Sequence, residues 1–328
     1  MKKRNLSLYI ISFLILATYY MLHATWVSAQ QVSLSISPPL LEVFIKPGKT
    51  ILVGYTVENH GDPVILKSDV RTFEPHGING QIHMKDEFEG PIQFALDNAD
   101  LELQSPFFLK TRDRQQLLLR IRVPVGTPEG DYYYSLLARS QPPPITEGIT
   151  SSRAQVTIAG NILITVTESG NTQVKGKISL FDVLSANKFK IFDSFDKIPI
   201  TLQVENKGKN MFKPEGEIVL KGKFGEKATY TIVPQNVLGE SQRLLSATPS
   251  ATIDCENQNN QRICNGPISL ILSGFFLGKY TLSANVHFGE GLPTFFASAY
   301  FIVLPLKFMI VLFILLAGTV FIIRRNRS

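Results

Sequence analysis

The sequence predicts an all-β protein, with two antiparallel β-sandwich domains framed by an apolar segment at each end. Three observations predict it. Runs in which apolar and polar residues alternate with a period of two recur along the interior. One such run and the turn that closes it return about 147 residues later. The two terminal apolar segments are each flanked by basic residues, in the manner of export and membrane-anchoring signals.

At the N-terminus Lys2, Lys3 and Arg4 precede an apolar run from Leu6 to Leu22, and Val27-Ser28-Ala29 supplies small residues. This is the pattern of a secretory signal helix cleaved after Ala29, so residues 1–29 are expected to be a signal peptide. No cysteine follows it directly, so lipidation there is not indicated.

The first domain is expected over 31–168. Ile51, Val53, Tyr55 and Val57 alternate with Leu52, Gly54, Thr56 and Glu58; Leu117, Leu119, Ile121 and Val123 alternate with Leu118, Arg120 and Arg122. Each run offers one face to a core and a more polar face to water, as antiparallel sheets do when covered on one side. Pro47-Gly48, Asn59-His60-Gly61-Asp62, Asn79-Gly80 and Gly126-Thr127-Pro128 mark the turns. Residues 86–105 are acidic and weakly patterned, and read as an inserted loop or short helix.

The second domain is expected over 175–303, after the polar break Glu168-Ser169-Gly170-Asn171-Thr172-Gln173. Ile198, Ile200, Leu202 and Val204 repeat the alternation. Val204-Glu205-Asn206-Lys207-Gly208 matches Val57-Glu58-Asn59-His60-Gly61, and Gly278-Lys279-Tyr280 matches Gly130-Asp131-Tyr132, at offsets of 147 and 148 residues. Near-equal offsets point to duplication of one domain type. Asn-x-Gly suits a tight turn, because both residues tolerate left-handed backbone. A Tyr entering a late strand after a Gly turn is similar to the corner tyrosine of immunoglobulin-like sandwiches, so both domains are expected to be immunoglobulin-like.

Cys255 and Cys264 are the two cysteines. On the exported side a bridge between them would close the polar segment Glu256 to Ile263, and two free thiols is the other reading.

The C-terminal segment 304–323 is expected to be a transmembrane helix. Phe308 to Ile323 carries no charge, and Arg324, Arg325 and Arg327 follow in the tail 324–328. Sixteen helical residues cover ~24 Å against ~30 Å of hydrocarbon; Leu304, Leu306 and a snorkelling Lys307 extend the segment outward. Basic residues favour the cytoplasmic side. The expected topology is a single pass in the cell membrane, ectodomain outside and C-terminus cytoplasmic.

The net charge of +6 follows from this topology. Lys2, Lys3, Arg4, Arg324, Arg325 and Arg327 account for all of it, and the remaining 27 Lys and Arg match the 27 Asp and Glu. The ectodomain is neutral, so no nucleic-acid partner is indicated.

No residue pattern announces catalysis. HExxH, GxSxG, P-loop and dinucleotide motifs do not occur. His76 and His83 flank the Asn79-Gly80 turn and face each other if it closes a hairpin, with Asp86 or Glu87 nearby, but no third metal ligand is placed by spacing. Asp86, Glu87, Glu89, Asp97, Asp100 and Glu102 raise calcium, without EF-hand spacing. The expectation is a protein that is not an enzyme and uses no metal or cofactor. Tyr132, Tyr133 and Tyr134, with Pro142, Pro143 and Pro144 close behind, form a candidate binding patch for protein or glycan. Alternation sets Tyr133 opposite Tyr132 and Tyr134, so at least one of the three belongs to a core.

Leu34-Ser35-Ile36-Ser37-Pro38-Pro39, Ile45-Lys46-Pro47-Gly48-Lys49, Val57-Glu58-Asn59, Val123-Pro124 and Gly130-Asp131-Tyr132 follow one another in an order that resembles the N-terminal domain of bacterial WxL-interacting cell-surface proteins, and more distantly periplasmic pilus chaperones. Val204-Glu205-Asn206, Lys213-Pro214-Glu215-Gly216 and Gly278-Lys279-Tyr280 fit the membrane-proximal domain of such proteins. The resemblance implies a non-enzymatic binding or scaffolding module for a cell-wall polymer or a surface protein. The alternative is a membrane-tethered chaperone or assembly factor for exported β-strand subunits.

Overall fold

The structure, a computed structural model, describes residues 31–141, 155–185, 189–251, 256–258, 261–263, 267–289 and 293–325. Residues 1–29, expected to be a signal peptide, and Pro142 to Pro144, Cys255 and Cys264 lie outside the described residues.

Among the described residues the first half holds ten strands. They are β1 (Leu34–Ser37), β2 (Leu40–Ile45), β3 (Thr50–Asn59), β4 (Val64–His76), β5 (Gln81–Met84), β6 (Gln93–Leu96), β7 (Pro106–Leu109), β8 (Arg114–Arg122), β9 (Gly130–Gln141) and β10 (Thr157–Val166). One sheet runs β1-β3-β8-β6; the other runs β2-β10-β9-β4-β5, with β7 also on β4. Within the segment 86–105 the chain forms β6 and no helix. Phe94 and Leu96 pair opposite Ile121 and Leu119 of β8 and pack on the core, so two alternating apolar residues suffice to hold a short strand among the acids.

The second half repeats this plan. Its strands are β11 (Gly176–Val183), β12 (Ile191–Asp193), β13 (Ile198–Asn206), β14 (Glu215–Gly222), β15 (Lys227–Ile232), β16 (Gln242–Leu244), β17 (Ala247–Thr248), β18 (Glu256–Gln258), β19 (Gln261–Ile263), β20 (Leu270–Leu272), β21 (Gly278–His287) and β22 (Phe295–Leu304). β11 pairs β13, which takes β16 and β20 along its other edge; the facing sheet runs β12-β22-β21-β14-β15-β17. The backbones of β18 and β19 pair antiparallel in a separate two-stranded sheet.

In each half the chain opens with a strand in one sheet and crosses at once to the other. There it lies parallel to the last strand, β2 on β10 and β12 on β22. All the other strand pairs are antiparallel. The first crossing needs a close approach. A Cβ at Gly160 of β10 would sit 2.8 Å from the Tyr55 ring and 2.9 Å from the Pro38 carbonyl, so a side chain there would push the crossing chain away.

The cores follow the alternation. Leu117, Leu119, Ile121 and Val123 are fully buried while Arg120 and Arg122 are exposed, and Ile198, Ile200, Leu202 and Val204 are fully buried in the second half. Burying each such side chain contributes about 1.5–3 kcal/mol. The repeated Asn-x-Gly turn does the same work twice. Asn59 is wholly buried; its Nδ2 donates to the carbonyls of Asp62, Leu109 and Lys110, and its Oδ1 accepts from Gly61 N. Asn206 donates to the carbonyls of Asn210 and Val237 and accepts from Gly208 N. A buried carbonyl left without a donor is costly, which explains why the same residue stands at both corners.

One helix, α1 (Leu306–Arg325), follows β22 after Pro305 alone. Its side chains are described from Leu306 to Thr319 and at Arg325, and among the described residues no helix is long and apolar enough to cross a membrane. From Phe308 to Leu316 its large apolar side chains are all exposed. The first turn is fixed from outside: Asp193 Oδ1 accepts from Lys307 N at 3.1 Å, and Lys307 Nζ lies 3.4 Å from Asp193 and 3.5 Å from Asp196. The Lys307 N–H first, and its ammonium against the opposing effect of enclosure, hold the Asp193 carboxyl below the usual aspartate range.

Candidate functional site

The two sandwiches meet along a polar seam with a small apolar patch beside it. The seam starts at Asp131, which β9 presents at its first turn out of the Gly130 corner. Asp131 Oδ1 accepts from Thr165 Oγ1 at 2.8 Å and from Asn210 Nδ2 at 2.9 Å; Oδ2 accepts from Tyr133 OH at 3.1 Å and from Met211 N. Two donors come from each sandwich. Hydrogen bonds to a carboxylate are stronger than neutral ones, so this residue fixes the angle between the two halves.

Tyr133 extends the contact. Its hydroxyl, besides donating to Asp131, accepts from Gly239 N at 2.8 Å, and its ring stacks on Phe73 with centroids 5.8 Å apart. Phe73, Leu163 and Leu238 are the buried members of that patch, with Met211 against them. Burial, reinforced by the Asp131 charge, raises the Tyr133 pKa well above that of a free tyrosine. The segment between the sandwiches is pinned as well: Thr167 Oγ1 donates to Asn171 O and accepts from Gly170 N, and Gln173 N donates to Asn210.

Beside this patch the seam opens into a cavity of about 410 Å³. Glu42 of β2 stands on one wall, accepting from Lys213 Nζ at 2.6 Å and Asn236 Nδ2 at 2.5 Å. Partial burial opposes ionisation of Glu42, but the bonds from Lys213 and Asn236 outweigh it and hold its carboxyl below the usual glutamate range. Arg243 also lines the cavity. Its Nε donates to Gln235 Oε1 and its Nη1 to the Asn236 carbonyl, and among the described residues it forms no ion pair. Desolvation lowers its pKa below the usual arginine range. The guanidinium lies against Gly80, where a Cβ would come within 2.5 Å of it; the positive φ of 73° there suits glycine as well. A backbone bond from Leu244 N to Ile78 O at 2.7 Å ties the same β4–β5 turn to β16.

β2 borders this cavity and is also a free edge. Among the described residues it is the terminal strand of its sheet, bonded to β10 alone. The Pro39 and Ile45 carbonyls accept from Asn161 N and Thr167 N. Alternation therefore turns the backbone groups of Leu40, Glu42 and Phe44 outward. Leu40 and Phe44 are 43% and 63% exposed.

The three tyrosines do not share a surface. Tyr134 is 1% exposed, in the first core against Phe94 at 4.8 Å; Tyr133 is enclosed by the second sandwich; Tyr132 donates its hydroxyl to the Pro128 carbonyl at 2.9 Å. His76 and His83 do face each other across the β4–β5 hairpin, ring centroids 6.3 Å apart. Among the described residues no group of three His, Cys, Asp or Glu is placed to hold a metal ion. Sequence reasoning passed over Arg243, and over Glu42, Asp131 and Lys213, whose partners across the seam lie far along the chain. For Asp131 a signal existed, since it sits inside the repeated Gly-x-Tyr mark where the second copy has Lys279.

No family model matches the chain, and no curated protein matches it. Among solved structures it is similar to the class 5 fimbriae chaperone CfaA, at 12% identity and a TM-score of 0.36 over 83% of this chain and 100% of that one. The E. coli chaperone DraB matches at 12% identity and a TM-score of 0.36, covering 82% and 98%. A Salmonella enterica complex of the SafA pilin with the SafB chaperone matches at 12% identity and 0.35, again covering 82% and 98%. Likeness this distant bears on neither activity nor partner.

Proposed function

We propose that this chain is a membrane-anchored extracytoplasmic binding arm, made of two immunoglobulin-like sandwiches, that takes an exported protein by strand addition at β2. The observation that carries the reading is the β2 edge, open in its backbone bonding and apolar in its outward side chains. Edge strands are normally guarded by charge, proline or brevity. Here the one outward charge, Glu42, is engaged by Lys213 and Asn236. An extended segment laid against β2 would gain main-chain bonds, contacts with Leu40 and Phe44, and access to the cavity at one end.

The anchor in this proposal is α1, supported by the uncharged run from Phe308 to Ile323 and the arginines after it. Residues 1–29 act as the export signal, and the role is that of a non-enzymatic surface module akin to the WxL-interacting proteins. A second reading, an assembly factor that caps strands of exported subunits and then releases them, is favoured by the same open edge.

The test is site-specific photocrosslinking in membranes of the expressing cell, with benzoylphenylalanine at Phe44 and, as control, at Phe296 of β22, which is 75% exposed. A discrete adduct with an exported protein from position 44 and none from 296 is the expected result. An adduct that persists supports the arm, and one that disappears during a chase supports the assembly factor. No adduct at 44 defeats both.

A further inference from the structure

The register of the second sandwich gathers several chain reversals at the end where α1 leaves. Asp193 pairs with Leu304, Gly278 with Val303, and Gly222 with Tyr280, so β12, β14, β21 and β22 all have a terminus there. Ile198 opposite Leu272 brings the β20–β21 loop to the same end. These reversals carry large apolar side chains that point into solvent. Phe195, Phe224 and Phe275 are 73%, 69% and 61% exposed, and Leu277 is exposed beside them.

The residues form one surface. The Phe195 and Phe275 rings are 5.3 Å apart, Phe276 N donates to Ser194 O, and the Phe224 ring approaches Gly278. The loops are held in place by their own bonds. Glu226 accepts from Phe224 N and from Tyr280 OH, and Leu277 N donates to that same hydroxyl. Exposed lysines flank the aromatics: Lys221, Lys223, Lys227 and Lys279. The nearby acids are engaged, Asp193 and Asp196 by Lys307 and Glu226 as described. A rigid apolar surface of this kind with a basic rim marks an interaction site.

We infer that this surface rests in the headgroup layer of the same bilayer that α1 enters, so that the second sandwich sits on the membrane in a set orientation. The inference rests on α1 being the span. What selects lipid as the occupant is distance along the chain: Pro305 alone separates β22 from α1, and Asp193 caps the helix from within the sandwich. A helix that starts at the interface leaves no room between this end of the sandwich and the headgroups. Aromatic side chains and lysine are the residues that favour that layer, and the lysine rim would meet anionic headgroups.

The test uses the full chain in nanodiscs of phosphatidylcholine and phosphatidylglycerol, in a Trp26→Phe background so that each introduced indole is the only one. Phe275→Trp and Phe195→Trp report the surface, Phe313→Trp reports α1, and Phe44→Trp reports a site remote from the membrane. Phospholipids brominated near the headgroup end of the acyl chain should quench the first two at least about threefold more than Phe44→Trp. If Phe313→Trp is quenched while Phe275→Trp and Phe195→Trp behave like Phe44→Trp, the span stands and the membrane-resting surface is refuted. If Phe313→Trp escapes quenching as well, the span itself fails and the inference falls with it.

Discussion

Asp131 in the first sandwich accepts a hydrogen bond from Asn210 in the second at 2.9 Å, across 79 positions of sequence. With Met211 N on its other oxygen, that carboxylate ties the β9 corner of one half to the β13–β14 turn of the other. The two sandwiches therefore share a fixed angle.

Asp131→Ala strands four donors at the seam. Hydrogen bonds to a charged group are worth about 1.5–3 kcal/mol, and part of that loss should appear as weaker coupling of the halves. Calorimetry of the full chain in detergent should show one unfolding transition for the wild type and two separated transitions for the variant.

Asn59→Ala and Asn206→Ala each remove the donor to two or three carbonyls at a buried corner. Each should cost on the order of 1–3 kcal/mol. Amide hydrogen exchange should locate the loss in the mutated sandwich, with the other protected as before. Equal loosening of both halves would contradict the separate corners described above.

Glu42 makes the β2 clamp sensitive to acid. Its carboxyl titrates below the usual glutamate range in the folded protein, because the Lys213 and Asn236 bonds outweigh its partial burial. A depressed carboxyl contributes stability that is fully present above the unfolded value and lost as pH falls through the folded one. The bonds to Lys213 and Asn236 should thus hold at neutral pH and weaken only as the pH falls below the usual glutamate range. Denaturant titrations across that range should show an acid-dependent component that Glu42→Gln removes.

Phe44→Pro probes strand addition directly. The Phe44 N–H faces away from β10, and proline is tolerated where no ladder bond is lost. The variant should keep its melting temperature within a few degrees. Crosslinking from a neighbouring position, Leu40, should fall at least about tenfold, since an added strand would lose a main-chain partner.

The alternating runs made the cores legible: Leu119 and Leu202 lie where period two puts them. Asn59 and Asn206 were legible as repeats, though only as turn residues, because their side-chain partners include Leu109 at the end of β7 and Val237 in the segment before β16, both far along the chain. β6 was hidden, since Phe94 and Leu96 alone had to signal a strand amid acids. The tyrosine run shows the limit most directly. Alternation set Tyr133 apart from Tyr132 and Tyr134, but only tertiary structure brings Gly239 to its hydroxyl, 106 positions away. The cavity residues Glu42 and Lys213 are 171 positions apart, and no local pattern records such a meeting.

The single residue between β22 and α1 bears on mechanics. A tug on a partner held at β2 would pass through the Asp131 seam and the pinned 167–173 segment into the second sandwich. It would then run along the ten residues of β22, about 33 Å of extended chain, and reach the helix with no slack to take up. The load would be shared by the ladder bonds of β21 and β12 on either side. If α1 is the span proposed above, the protein would behave as a stiff strut, and a partner held at β2 would sit at a set height above the bilayer and feel the membrane move.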